Sequence, residues 1–194
     1  MVTIHVIIGS TREKRFSEKP ARWIFEELRK LPGVTAELVD LRDYPLPFFN
    51  DPMSPGMAKG AHPDPQAAVW AKKVAEADGY VVVAPEYNYG YPAVLKNAFD
   101  YVFYEWANKS IGFVSYGTVG GARAIDQLRQ VAIGLQMMPI RLSVNIPSFW
   151  TLVDKEGNFD GSSLQETAKK FLEQLVWSAE ALKAAREKDK TQSS

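Results

Sequence analysis

The chain has 194 residues, 46% hydrophobic, 24% charged and 12% aromatic, with Lys+Arg and Asp+Glu at 23 each and a formal net charge of +0. That length suits one domain burying roughly 70% of its unfolded surface without help from a disulfide or metal, and the even charge argues against a nucleic-acid binder or a carrier that docks through an acidic surface. The absence of cysteine removes disulfide frameworks, thiolate catalysis and cysteine-ligated zinc or iron–sulfur clusters, and the two histidines, His5 and His62, lie too far apart to make a metal motif.

Thr3 to Ile8 is a β-branched apolar run ending at Gly9-Ser10, a first strand in which His5 reads as structural. Ala21, Ile24, Phe25, Leu28 and Leu31 recur at three and four residues, one face of a helix that Pro32-Gly33 stops. Val34 to Leu41 reads as a second strand with polar residues interleaved. The stretch from Arg42 to Pro63, with Pro45, Pro47, Pro52, Pro55 and Pro63, reads as an ordered surface excursion on which His62 is exposed. A flexible linker would be rich in Gly and Ser instead.

Asp64 as N-cap and Pro65 at the first helical position open a helix through Val69, Trp70, Val74 and Ala77. Gly79 to Ala84 is a nearly pure strand. The next helix starts at Pro92 and runs through Leu95, Ala98, Phe99 and Val102 toward Trp106. Tyr101, Phe103, Tyr104 and Trp106 crowd its end, more than one face buries, so they are divided between the core and a subunit contact. Ser110 to Ser115 is a strand and Gly121 to Leu135 a helix. Ile140, Leu142, Val144 and Ile146 alternate with polar residues in a fifth strand beginning at Pro139. The last helix starts near Ser163 with Glu166 completing a capping box, and buries Leu164, Ala168, Phe171, Leu172, Leu175 and Ala179. Residues 1–185 then form one domain, and 186–194 a polar, frayed tail.

Alternation of strand and helix implies a parallel sheet with helices on both faces. Strands one, three and four are continuously apolar and belong in the middle, whereas strands two and five alternate and belong at the edges. Pro139 fits an edge, where a missing N–H is tolerated. The resulting order is 2-1-3-4-5, a flavodoxin-like α/β three-layer sandwich with a five-stranded parallel sheet. Its ligand site lies outside the C-terminal strand ends.

Three loops meet there. Gly9-Ser-Thr-Arg-Glu-Lys-Arg-Phe-Ser17 offers hydroxyls, two arginines and a helix N-terminus. It reads either as a phosphate loop or as a solvated basic loop with Ser17 as an ordinary N-cap. The Gly-Lys-Ser/Thr of a P-loop is missing. Pro85-Glu-Tyr-Asn-Tyr-Gly-Tyr-Pro92 supplies flat rings and hydrogen-bonding edges suited to a planar heteroaromatic, or tyrosines that merely cap the sheet. Glu86 as a general base has no visible partner. Ser115-Tyr-Gly-Thr-Val-Gly-Gly121 lets the backbone approach a flat ligand closely, but lacks the spacing of a dinucleotide fingerprint.

The stretch Pro85-Glu-Tyr-Asn-Tyr-Gly-Tyr-Pro-Ala-Val-Leu-Lys-Asn-Ala-Phe-Asp100 resembles the central signature of the NAD(P)H-dependent FMN reductase family, the flavodoxin-like quinone, flavin and azo reductases. Gly9-Ser-Thr-Arg12 with Ser17, Ser115 with Gly120-Gly121, and Leu46-Pro-Phe-Phe-Asn50 are similar to other parts of that family. The resemblance runs from strand one to about Asn145. It implies that Ser10, Thr11, Arg12, Arg15, Phe16 and Ser17 form the FMN phosphate end. Pro85, Glu86, Tyr87, Asn88 and Tyr89 would line the isoalloxazine, mostly through main chain, and Ser115, Tyr116 and Gly117 would close its far side. It also implies NADPH or NADH as reductant, a small acceptor (quinone, free flavin, azo compound or metal oxyanion), and a homodimer or homotetramer. No residue acts as catalytic acid or base and no metal is needed, because flavin N5 carries the chemistry. The alternatives are a flavodoxin-like electron carrier and a non-catalytic flavin-binding sensor. With no apolar run near the roughly 20 residues of a membrane span and no signal-peptide pattern, the expected location is the cytoplasm.

Overall fold

A computed structural model describes residues 1–192. Five parallel strands, β1 (Val2–Ile8), β2 (Val34–Asp40), β3 (Gly79–Pro85), β4 (Ser110–Gly117) and β5 (Met138–Pro147), pair in the order β2-β1-β3-β4-β5. The helices are α1 (Glu18–Arg29), α2 (Pro65–Ala75), α3 (Ala93–Asp100), α4 (Ala122–Gly134) and α5 (Gln165–Gln192). The expected sheet order and flanking helices are therefore present.

Strand alternation divides the core in two. Ile7, Tyr80, Val82, Ala84, Ile111 and Phe113 face α2, α3 and α4, while Ile4, Val6, Ile8, Val81, Val83 and Val114 face α1 and α5. Every residue of β3 and β4 is buried, which explains their unbroken apolar runs. Gly112 in β4 is required by packing: a Cβ there would lie 2.6 Å from the Phe171 ring. The β4–β5 register shifts beside it, between Ile111 and Phe113.

Asp64 caps α2 as its sequence suggests, accepting from the N–H of Gln66 at 2.7 Å and of Ala67 at 3.3 Å. Three element boundaries depart from expectation. First, α3 ends at Asp100 instead of reaching Trp106, because the chain dips toward the sheet to bury Val102 and Trp106. Trp106, at 0% exposure, packs against Tyr80, Phe99 and Trp70 with centroids 4.8, 5.2 and 5.9 Å away. It is a core residue and no part of a subunit contact.

Second, α5 starts at Gln165, after a 3₁₀ turn over Ser162–Leu164, without the Ser163 capping box. Asp160 accepts from Ser162 N–H at 2.9 Å, and Gly161 lies so close to Trp23 that a Cβ would meet the indole at 2.4 Å. Third, α5 continues through the expected tail to Gln192, with Arg186 donating to Asp78 at 2.8 Å and to Asn108 O at 2.6 Å. Ser193 and Ser194 of that tail lie outside the described residues.

The Pro-rich excursion is ordered by named contacts. The Asn97 side chain accepts from Phe49 N–H at 2.8 Å and donates to Pro47 O at 2.7 Å. Tyr104 donates to Gly56 O at 2.8 Å. His62, expected to be exposed, is instead largely covered and lies 2.7 Å from Glu105 Oε1. Phe103 and Tyr104 thus serve to seat this excursion.

Candidate active site

The loops after β1, β3 and β4 converge at the C-terminal edge of the sheet. A cavity of about 360 Å³ is lined by Arg12, Lys14, Arg15, Phe16, Pro85, Glu86, Tyr87, Tyr116 and Phe149. One end is cationic and lies at the head of α1. There Arg12 and Lys14 are exposed, and Lys14 takes a left-handed φ of 51°. Ser17 precedes α1 but does not cap it: its Oγ is buried and faces the Tyr116 phenol. Two exposed cations lining a cavity at a helix N-terminus fit an anionic group such as a phosphate.

Arg15 plays a different part from the one its position suggested. Its side chain is 2% exposed and forms a two-pronged pair with Asp40 at the end of β2, while Nη1 also donates to Ser10 O at 2.8 Å. Burial acts to raise the Asp40 pKa, but hydrogen bonds from Arg15 and from Arg42 N–H outweigh it and hold the carboxyl below its ordinary value. Arg15 therefore shapes the loop from beneath, with its guanidinium already engaged. Arg42 braces the same loop from outside, donating to Thr11 O at 3.3 Å and Arg12 O at 2.6 Å.

The other end of the cavity is aromatic. Phe16 packs against Tyr116 and Phe149 with centroids 4.8 and 4.5 Å apart. Burial pushes the Tyr116 phenol pKa well up, so it stays neutral. Tyr87 Oη lies 3.1 Å from Ser10 Oγ, joining the first and third loops. Thr11 lies on the opposite side of the first loop, lining a larger cavity of about 800 Å³ with Arg42, Tyr44, Leu46 and Val94.

Several main-chain groups expected at a ring are spoken for. Pro85 has no N–H, Glu86 N–H donates to Tyr116 O at 2.9 Å, and Tyr87 N–H donates to Gly90 O at 2.8 Å. Only Asn88 and Tyr89 keep N–H groups without an acceptor among the described residues. The Glu86 carboxylate is paired with Arg123, which leaves it unsuited to act as a general base.

Ser115 lies away from the cavity. It is fully buried, donates to Ala84 O at 2.7 Å, and sits 1.9 Å from where a Cβ on Gly121 would be. It seats the left-handed Gly121 (φ 72°) at the head of α4, away from the cavity surface. Gly117 packs against Glu86, where a Cβ would lie 3.2 Å from the Glu86 Cβ, and Gly117 O accepts from Gly120 N–H at 3.1 Å. Among the described residues, the grouping of possible metal ligands formed by His5, Glu37 and Glu76 holds the Lys73 ammonium, 2.8 Å from Glu37 and 2.5 Å from Glu76.

The model of the NADPH-dependent FMN reductase family matches residues 2–151. The chain belongs to that family. A relative in Schizosaccharomyces pombe, an NAD(P)H-dependent FMN reductase, is 40% identical over 152 residues, covering 78% of this chain and 74% of its own length. An NADPH:quinone oxidoreductase of Arabidopsis thaliana is 29% identical over 194 residues, covering 93% and 91%. Among solved structures, a flavoenzyme NAD(P)H:(acceptor) oxidoreductase from Paracoccus denitrificans shares the fold, with TM-score 0.70, 21% identity, and coverage of 90% and 97%. As a member of this FMN reductase family, the chain is a flavin-dependent oxidoreductase whose cofactor is FMN and whose reductant is a reduced nicotinamide nucleotide.

Lys14 and Phe149 line the cavity, and Arg42 and Arg123 brace its loops, none of them singled out by the sequence motifs. Lys14 sat within the quoted loop, and Arg42 and Phe149 follow the ends of β2 and β5, the same edge of the sheet that drew attention to the other loops. Arg123 follows the glycines that open α4.

Proposed function

We propose that this chain carries a hydride from NADPH or NADH to FMN held in the cavity after β1, β3 and β4, and passes the electrons on to a small acceptor, with quinones foremost. The observation that supports it is the polarity of that one cavity: Arg12 and Lys14 at the head of α1, flat aromatic surface at the other end. When bound, FMN supplies the hydride-accepting and hydride-donating centre at its N5. The chain supplies position. Arg12, Lys14 and Ser17 hold the phosphate, Phe16, Tyr116 and Phe149 wall the ring, and the Asn88 and Tyr89 N–H groups offer donors near it. Arg15 contributes by holding the Ser10 carbonyl and the loop.

The neutral net charge favours an enzyme over an acidic electron carrier. The reading includes a homodimer or homotetramer. Its support is Phe48, 81% exposed although the neighbouring backbone is pinned by Asn97, beside a hollow lined by Phe49, Tyr91, Lys96 and Asp100. We also place the protein in the cytoplasm, which its cysteine-free composition suits; no described helix is long and apolar enough to cross a membrane.

The test is FMN-dependent oxidation of NADPH and NADH in the presence of a benzoquinone. Turnover that requires both FMN and quinone supports the enzyme. Tight FMN binding without turnover by either nucleotide would point to the carrier or sensor.

A further inference from the structure

The loop after β3 contains a strained turn that another element holds in place. Asn88 and Tyr89 take left-handed φ values of 49° and 72°, closed on both sides by Tyr87 N–H to Gly90 O at 2.8 Å and Gly90 N–H to Tyr87 O at 3.0 Å. Asparagine accepts that conformation readily, but a bulky tyrosine adopts it only where its surroundings impose it. Two residues of α4 do so. The Arg123 guanidinium lies over the Tyr89 ring, 3.7 Å from its centroid, and Gln127 Nε2 donates to Tyr89 O at 3.0 Å. Tyr89 is otherwise 66% exposed. Arg123 is in turn fixed by Glu86: its Nε donates to Oε1 at 2.7 Å and its main-chain N–H to Oε2 at 3.2 Å. The Glu86 side chain is only 5% exposed.

We infer that Arg123 is a positioning residue for the flavin ring: anchored on Glu86 and stacked on Tyr89, it holds the Asn88–Tyr89 turn, whose two N–H groups have no acceptor among the described residues, in a single conformation. The inference rests on the reading that this cavity binds FMN. Stacking and the forked pairing both need a planar guanidinium, which lysine cannot replace. The contact is with the ring end of the site, so its loss acts on flavins with and without a phosphate alike.

The experiment measures FMN and riboflavin affinity by flavin fluorescence, and the midpoint potential of bound FMN, for wild type, Arg123→Ala, Arg123→Lys and Gln127→Ala. Arg123→Ala should weaken both flavins by a similar factor, about tenfold, the scale of a lost cation–π and charge-assisted contact. It should also lower the potential, because the donors that stabilise the reduced ring are no longer fixed. Arg123→Lys should fail to restore either property, and Gln127→Ala, which leaves Glu86 paired, should shift both in the same direction by less. Full rescue by lysine would overturn the inference, showing that Arg123 only neutralises Glu86. So would unchanged riboflavin affinity and potential in a folded Arg123→Ala protein. Failure of the wild type to bind FMN at all would instead strike the flavin reading itself.

Discussion

Ser10 Oγ and Tyr87 Oη lie 3.1 Å apart although 77 residues separate them in sequence. That contact ties the loop at the head of α1 to the loop after β3, across the central strand pair β1–β3. The main-chain oxygen of Ser10 is held at the same time by Arg15, itself locked on Asp40. The phosphate end and the ring end of the cavity are thus one connected framework.

Breaking the base of that framework should cost more than breaking its surface. Asp40→Asn leaves the buried Arg15 guanidinium without its counter-charge, and should destabilise the fold by about 2–4 kcal/mol. Asp40 also gives a pH dependence of known sign. Its pKa is held below the ordinary value, so its stabilising contribution is complete above the unfolded carboxylate pKa and disappears as pH falls through the lower, folded one. Urea midpoints across that acid range should decline more steeply for wild type than for Asp40→Asn. Parallel curves would show that the pair contributes nothing.

Arg12 is exposed and free of the pairing that occupies Arg15. Its replacement by alanine should weaken FMN by about 1.5–3 kcal/mol, the scale of a charge-assisted contact, while riboflavin affinity barely changes. Fluorescence titration with the two ligands makes the comparison. Equal losses would remove Arg12 from the phosphate end.

Trp106 and Phe48 should show two opposite behaviours. Trp106→Ala empties a site bounded by Tyr80, Phe99 and Trp70 and should destabilise by about 3–5 kcal/mol. Phe48→Asp, on the pinned and exposed segment, should leave the denaturation midpoint nearly unchanged but lower the mass seen in sedimentation. A Phe48→Asp protein of undiminished assembly size would place the subunit contact elsewhere.

Burial depresses the His5 pKa below 6.5, with Lys73 and Lys109 acting in the same direction and Glu37 and Glu76 opposing it. The unfolded chain therefore takes up this proton at higher pH than the folded one. Stability due to neutral His5 is complete above about pH 6.5 and is lost as pH falls toward the depressed folded value. His5→Gln should flatten the stability curve over that window, read from thermal midpoints at closely spaced pH. An unchanged slope would mean that His5 keeps its ordinary pKa.

Strand order was legible because burial on both faces writes itself into β1, β3 and β4 as uninterrupted apolar runs, and edge position into β2 and β5 as alternation. The α2 cap was equally plain from Asp64-Pro65. The end of α3 was not, since Val102 and Trp106 keep helical spacing with Phe99 while the backbone between them has left the helix. Ser115 and Arg15 show the corresponding limit at the site. Ser115 is drawn beneath Gly121 and away from the cavity, whereas Arg15 lines it with its guanidinium already held by Asp40, partners that only the folded chain brings within reach. Phe149 lies in the 3₁₀ turn after the edge strand β5, beyond the part of the chain that resembles the family.

The most direct test is anaerobic mixing of the FMN-loaded protein with NADPH and, separately, NADH, followed by visible absorbance. The account predicts that at least one nucleotide bleaches the flavin in a single two-electron phase, and that adding a benzoquinone restores the oxidised spectrum and sustains turnover. A protein that binds FMN stoichiometrically but whose spectrum neither nucleotide changes would contradict it.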